Sequence, residues 1–269
     1  SVNYIVLDWT DLLLAATLLL VNGGLSLWLS LGLERRLLIA ALRMTVQLAL
    51  VGSVLTLLFR LASPGWTALM ALVMILFAGH EILARQHRRF TGAWCFGLGT
   101  ANLTLAALVV TLLALTTQIR PDPWYDPRYA IPLLGMILGN TMTGISLGLD
   151  TLTTTAHRER AAIEARLALG ATRQEALREV LRQALRSGLM PLINAMSATG
   201  VVALPGMMTG QILAGVEPAE AVKYQLLVMF LIAGATGLGV LGAVLAGAHR
   251  LSDPRHRLRL DRLQPPRGR

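Results

Sequence analysis

Tyr129 to Leu149, YAIPLLGMILGNTMTGISLGL, contains no Asp, Glu, Lys or Arg. A bilayer core is crossed by about 20 apolar residues in helical form, because unpaired backbone N–H and C=O groups cannot face lipid. The stretch therefore reads as a membrane-spanning helix. Leu12 to Leu33, Leu61 to His80, Thr91 to Ile119, Ser187 to Val216 and Tyr224 to Ala248 are equally free of charge, and Leu37 to Phe59 is interrupted only by Arg43. The expected fold is all-α and polytopic, with about seven transmembrane helices. The first is too long for a removed signal peptide and lacks a basic leader and a small-residue cleavage site. Residue 1 is Ser rather than Met, so a preceding segment is expected.

Composition points the same way. Of 269 residues, 54% are hydrophobic and 14% charged, and mean hydropathy is +0.59, whereas soluble domains carry about a quarter charged residues. Cys95 is the only cysteine, which excludes an internal disulfide and a cysteine-rich metal cluster.

Orientation follows from the arginines. Arg35 and Arg36; Arg85, Arg88 and Arg89; seven from Arg158 to Arg186; and seven from Arg250 to Arg269 fall in alternate connections, 19 of the 24 basic residues. The opposite connections hold only Arg60, Arg120, Arg128 and Lys223. By the positive-inside rule the N-terminus is expected outside and the C-terminus in the cytoplasm. The net charge of +9 then needs no nucleic acid; arginines at anionic headgroups account for it. Residues 1–252 form the transmembrane domain and 253–269 a basic cytoplasmic tail.

Within that domain, about 153–186 is a long charged cytoplasmic stretch that keeps a helical pattern. Leu177, Val180, Leu181, Ala184 and Leu185 make an apolar stripe, while Arg178, Arg182 and Arg186 recur on another face. Leu169-Gly170 is a helix stop, and Thr172-Arg173-Gln174-Glu175 is a capping-box start. A short helix, a sharp bend and a second helix feeding the sixth span are expected. This element suits docking to a soluble partner or, alternatively, lying flat on the bilayer.

Glu164-Ala165-Arg166-Leu167-Ala168-Leu169-Gly170 resembles the EAA-loop of ABC permeases, with Arg166 where Ala is usual and without the downstream Leu-Pro. More extensively, IPLLGMILGNTMTGISLGLD (Ile131 to Asp150), RLALGATRQEA (Arg166 to Ala176) and VVALPGMMTGQILAGVEPAEAVKYQ (Val201 to Gln225) resemble segments of the Fet-type iron-export ABC permeases, to which plant permeases implicated in aluminium tolerance are related. The resemblance implies a permease homodimer in the bacterial cytoplasmic membrane, exporting metal with two copies of a separate ATPase. It also implies that Glu164, Ala165, Leu169, Gly170, Ala171 and Thr172 couple to that ATPase.

The residues agree with this division of labour. A Walker A loop needs a lysine that reaches the β and γ phosphates, and the only lysine here is Lys223, on the outer side. No cofactor is expected in this chain; ATP and Mg²⁺ belong to the partner. His80-Glu81 begins like a zincin helix, but position 84 is Ala84 and the second histidine is missing. A secondary metal transporter or channel is the alternative; it would show internal repeats or a chain of intramembrane carboxylates, neither of which is evident.

Candidate path residues are the polar and broken positions inside spans. Arg43 and Gln47 share a helix face, and a membrane-embedded arginine needs a partner or water. Asn140 follows Gly139, where helices approach closely. Pro205, Met207, Met208 and Gln211 lie in a segment whose proline frees backbone carbonyls. The thioethers of Met207 and Met208 suit soft metals, although adaptable packing explains them too. Glu81 and Asp150, near cytoplasmic helix ends, are candidates for recruiting hard cations or for pairing with arginines.

Overall fold

The Asp8 carboxylate starts the first helix: it accepts the Trp9 N–H, and Asp11 returns the bond to the Asp8 N–H. In this computed structural model, which describes residues 4–267, α1 is Trp9–Trp28, α2 Glu34–Leu61, α3 Pro64–Arg85 and α4 Trp94–Ala114, continued by one wide turn to Ile119. The remaining helices are α5 Pro127–Arg158, α6 Arg160–Ala168, α7 Arg173–Ala198, α8 Gly206–Leu213 and α9 Pro218–Leu251. The first three residues of the 1–252 domain and the last two of the 253–269 tail lie outside the described residues.

Six of the described helices, α1 to α5 and α9, are long and apolar enough to cross a membrane. The interval Ser187 to Val216, expected as one span, divides instead. Its first part is the apolar end of α7, its last part is α8, and Thr199 to Pro205 between them is irregular. Two local causes act here. Gly200 takes φ +91°, a conformation outside any helix, and Pro205 has no N–H to carry the ladder across.

α5 is the centre of the bundle, packing on α3, α4, α7 and α9. Small residues make this possible. Gly144 on α5 faces Gly188 on α7 so closely that a Cβ built on Gly188 would stand 2.8 Å from the Gly144 carbonyl oxygen. Val240 of α9 fills the remaining space, 2.6 Å from the same point. α1 and α2 are attached more lightly: among their described residues burial is confined to Ser26 and Leu58.

Long-range contacts bring the α3–α4 turn, the α5–α7 connection and the segment after α9 to one end. The His87 N–H donates to Asp150, the Arg173 N–H to His256, and Phe90 bridges to Leu263. These are the arginine-rich connections, so the charge asymmetry of the sequence is an asymmetry between the two ends of the bundle.

Candidate functional site

At the arginine-rich end the chain leaves α5 at Glu159 and forms α6, a helix of nine residues. Leu169 ends it and Gly170 turns the chain with φ +97°. Thr172 then caps α7: its Oγ1 accepts the Glu175 N–H at 3.2 Å, and Glu175 accepts the Thr172 N–H at 2.9 Å. The stop, the turn and the reciprocal cap stand where the sequence places them. Ile163 points into the bundle and is fully buried, while Glu164, Ala165 and Ala168 face outward, Ala171 is half-buried, and Leu169 is 89% exposed. The bend thus presents a small-residue helix face ending in a bare leucine.

The tail is attached to this element. Asp253 folds the chain back: its carboxylate accepts the backbone N–H groups of Arg255 and Arg257 and the side chains of Arg257 and Arg259. Burial alone would raise this carboxyl, but the Arg257 side-chain and backbone hydrogen bonds, the Arg257 charge and the Arg255 N–H outweigh it and hold it at about 2. It is therefore ionised at any cellular pH.

A second group of polar residues lies deeper. Arg43 Nη2 donates to Glu81 Oε1 at 2.6 Å, and Arg85 lies 3.6 Å from the other oxygen. Arg85 also donates to Thr143 of α5 at 3.4 Å, and Thr143 sits one turn from Asn140. Arg43, Glu81, Arg85 and Thr143 thus join α2, α3 and α5. Arg85 and Thr143 were not among the sequence candidates. Gln47, one turn along α2 from Arg43, is exposed, as is Asn140, whose amide donates to the Met136 carbonyl at 2.8 Å. Asp150 is held by the His87 N–H at 2.8 Å rather than by an arginine.

The broken segment lies at the other end of the bundle. Pro205 precedes α8, which carries Met207, Met208 and Gln211, all half-buried, and Met207 packs on the core. Gln211 Oε1 is buried without a hydrogen-bond partner among the described residues. The structure therefore gathers Arg43 and Glu81 toward one end and Met207, Met208 and Gln211 at the other. Among the described residues, no group of three or more His, Cys, Asp and Glu side chains is placed to hold a metal ion. A cleft of about 480 Å³ between α3, α4 and α5, lined by Thr67, Thr100, Thr111 and apolar side chains, holds none of the candidate path residues.

An all-α bundle with six candidate spans and a bent helical element at its arginine-rich end defines a multi-pass integral membrane protein. The chain belongs to the uncharacterised protein family UPF0014, which it matches over residues 9–251. The UPF0014 membrane protein slr1647 of Synechocystis sp. is 38% identical over 246 residues, 91% of this chain and 94% of that protein. The probable iron export permease protein FetB of Escherichia coli is 31% identical over 257 residues, 94% and 96% of the two chains. The protein ALUMINUM SENSITIVE 3 of Arabidopsis thaliana is 32% identical over 206 residues, 77% and 73% of the two chains. No solved structure matches the chain.

Proposed function

We propose that this protein is the membrane-spanning permease subunit of an ABC transporter, exporting iron or another metal from the bacterial cytoplasm. A separate subunit binds and hydrolyses ATP with Mg²⁺. The observation that carries this reading is the α6–α7 hairpin: a short helix standing clear at the arginine-rich end, with Leu169 bare at its tip and α7 rigidly capped behind it. A short helix with an apolar tip fits a groove on a soluble partner, and α7 carries its displacement into the bundle. The near full-length similarity to a probable iron export permease supports the substrate class.

A second copy of the chain completes the assembly. Asn140 and Gln47 are exposed on α5 and α2, and polar side chains at membrane depth face a partner helix or water rather than lipid. Val201 and Val202 beside α8 are 92% and 84% exposed, which leaves a broad face for that copy.

In this reading the arginine-rich end is cytoplasmic. Cysteines introduced at Ala219, in the first turn of α9, and at Arg178, on the exposed face of α7, in a Cys95-free background, should be labelled from the outside and the inside respectively. Labelling of both from one side would refute the orientation.

The experiment that tests the transport reading is metal-stimulated ATP hydrolysis and metal efflux by the complex in vesicles, with variants of α8. Leu and Met are close in volume, and such swaps usually cost under about 1.5 kcal/mol, so Met207→Leu with Met208→Leu isolates the thioether. Loss in that double variant would indicate sulfur ligation of a soft ion. Loss only in Gln211→Ala, which removes the unpartnered buried oxygen, would indicate oxygen ligation of a hard ion. Wild-type behaviour in both would remove α8 from the path and direct attention to Arg43, Gln47 and Asn140. Absence of any metal-stimulated hydrolysis in the wild type would overturn the reading.

A further inference from the structure

A nine-residue helix does not support itself in water, since helices shorter than about 12 residues are marginal in isolation. α6 buries only Ile163 among its described residues, so its orientation depends on what Ile163 and Leu167 rest against. The wall comes from two places: Ala176 and Leu177 of α7, and Leu258 of the segment after α9, which share one seam with them, bordered by Arg173, Ser252 and Arg257. The same segment reaches the start of α7, where His256 Nδ1 accepts the Arg173 N–H at 3.0 Å. That N–H belongs to the first helical turn, which has no intrahelical acceptor for it.

The other end of the segment is tied elsewhere. Leu263 is buried beside Phe90, itself 2% exposed. The Thr91 N–H donates to the Arg262 carbonyl at 2.9 Å, and the Gln264 N–H to the Arg89 carbonyl at 2.7 Å. The Gln264 side-chain amide adds a bond to the Phe90 carbonyl at 3.2 Å. Between these ends, the Arg262 guanidinium donates to the carbonyls of Arg250 and Ser252, fixing the segment to the end of α9. Residues 252–267 therefore form a strap with one end on the α6–α7 hairpin and the other on the α3–α4 turn.

We propose that this strap is a second transmission link, carrying displacement of the α6–α7 hairpin to α3 and α4, in parallel with the direct continuation of the hairpin into α5 and α7. α3 bears Glu81, the centre of the Arg43–Glu81–Arg85 group, so the strap connects the docking face to that polar group without passing through α5. The proposal rests on the docking reading above.

The test uses the full-length chain purified with its ATP-hydrolysing subunit and compares wild type with Leu258→Ser, which removes the apolar contact from the seam, and Asp253→Ala, which removes the turn's acceptor. Strap release is read as trypsin cleavage between Arg255 and Arg262. Cleavage tracks the population of the open form, so a rise of roughly tenfold or more is expected in both variants. The ATPase subunit should still co-purify, while hydrolysis stimulated by ferrous iron falls to the basal level. Wild-type stimulation with a released strap would overturn the proposal. So would unchanged cleavage in both variants, because Asp253 and Leu258 would then not hold the strap. Loss of co-purification in the variants would make the strap part of the binding surface and overturn its role in transmission. A wild-type chain that holds no ATPase would overturn the docking reading itself, and the transmission role with it.

Discussion

Gly188→Leu is expected to leave no folded membrane domain. A Cβ at position 188 would stand 2.8 Å from the Gly144 carbonyl oxygen and 2.6 Å from Val240 Cγ1, before the rest of a leucine is placed. The Gly144 carbonyl is backbone, which cannot rotate aside as the Val240 side chain can. Relief requires α5 and α7 to separate, and α5 also packs on α3, α4 and α9. Overpacking usually costs about 1 to 3 kcal/mol; moving the central helix adds to that, against a total stability of only about 5 to 15 kcal/mol. Size-exclusion chromatography of detergent extracts should show aggregate for Gly188→Leu. Gly237→Leu on α9, where an added Cβ meets nothing within 4 Å, should give the wild-type peak. A normal peak for Gly188→Leu would mean that α5 and α7 do not meet at these glycines.

The second large effect is expected at Gly170. With φ +97°, this position suits glycine, tolerates asparagine and excludes β-branched residues. Left-handed backbone costs an ordinary residue on the order of 1–2 kcal/mol, and Gly170→Val escapes the cost by changing the angle between α6 and α7. A Cβ there meets no neighbour, so packing and insertion should survive. The expected result is a complex that assembles in the membrane and loses metal-stimulated ATP hydrolysis, with Gly170→Asn close to wild type. Unchanged stimulation in Gly170→Val would remove the hairpin from the mechanism.

What the sequence discloses divides by range. The capping box at Thr172 and the stop at Gly170 are legible because donor, acceptor and turn lie within a few residues. Spans are legible because exclusion of charge is a property of each stretch alone. Glu81 as the partner of Arg43 is not, since the two are 38 residues apart and the sequence offers several carboxylates and arginines near the same end. The division at Thr199 to Pro205 escapes a criterion that counts charges, because an uncharged interval says nothing about helix continuity. The strap does carry a signal: Leu258, Leu260 and Leu263 are interleaved with Arg257, Arg259 and Arg262, an alternation that the structure breaks with one 3-10 turn at Leu260–Arg262. Its arginines draw attention to charge, and the leucines between them supply the contacts.

The light attachment of α1 and α2 bears on how the protein is made. These two helices leave the ribosome before α3 to α9, and α2 meets the rest through the Arg43–Glu81 pair, buried Leu58 and the stacking of Arg128 over Phe59. One of those partners is on α3 and another at the start of α5. In membranes, helices insert individually before they associate, so the hairpin waits in lipid with Arg43 unmatched until α3 supplies Glu81, and gains the contact of Phe59 with Arg128 only when α5 follows. The pair that ties α2 to the bundle thus forms only after α2 itself has been inserted, because its carboxylate comes from a later helix.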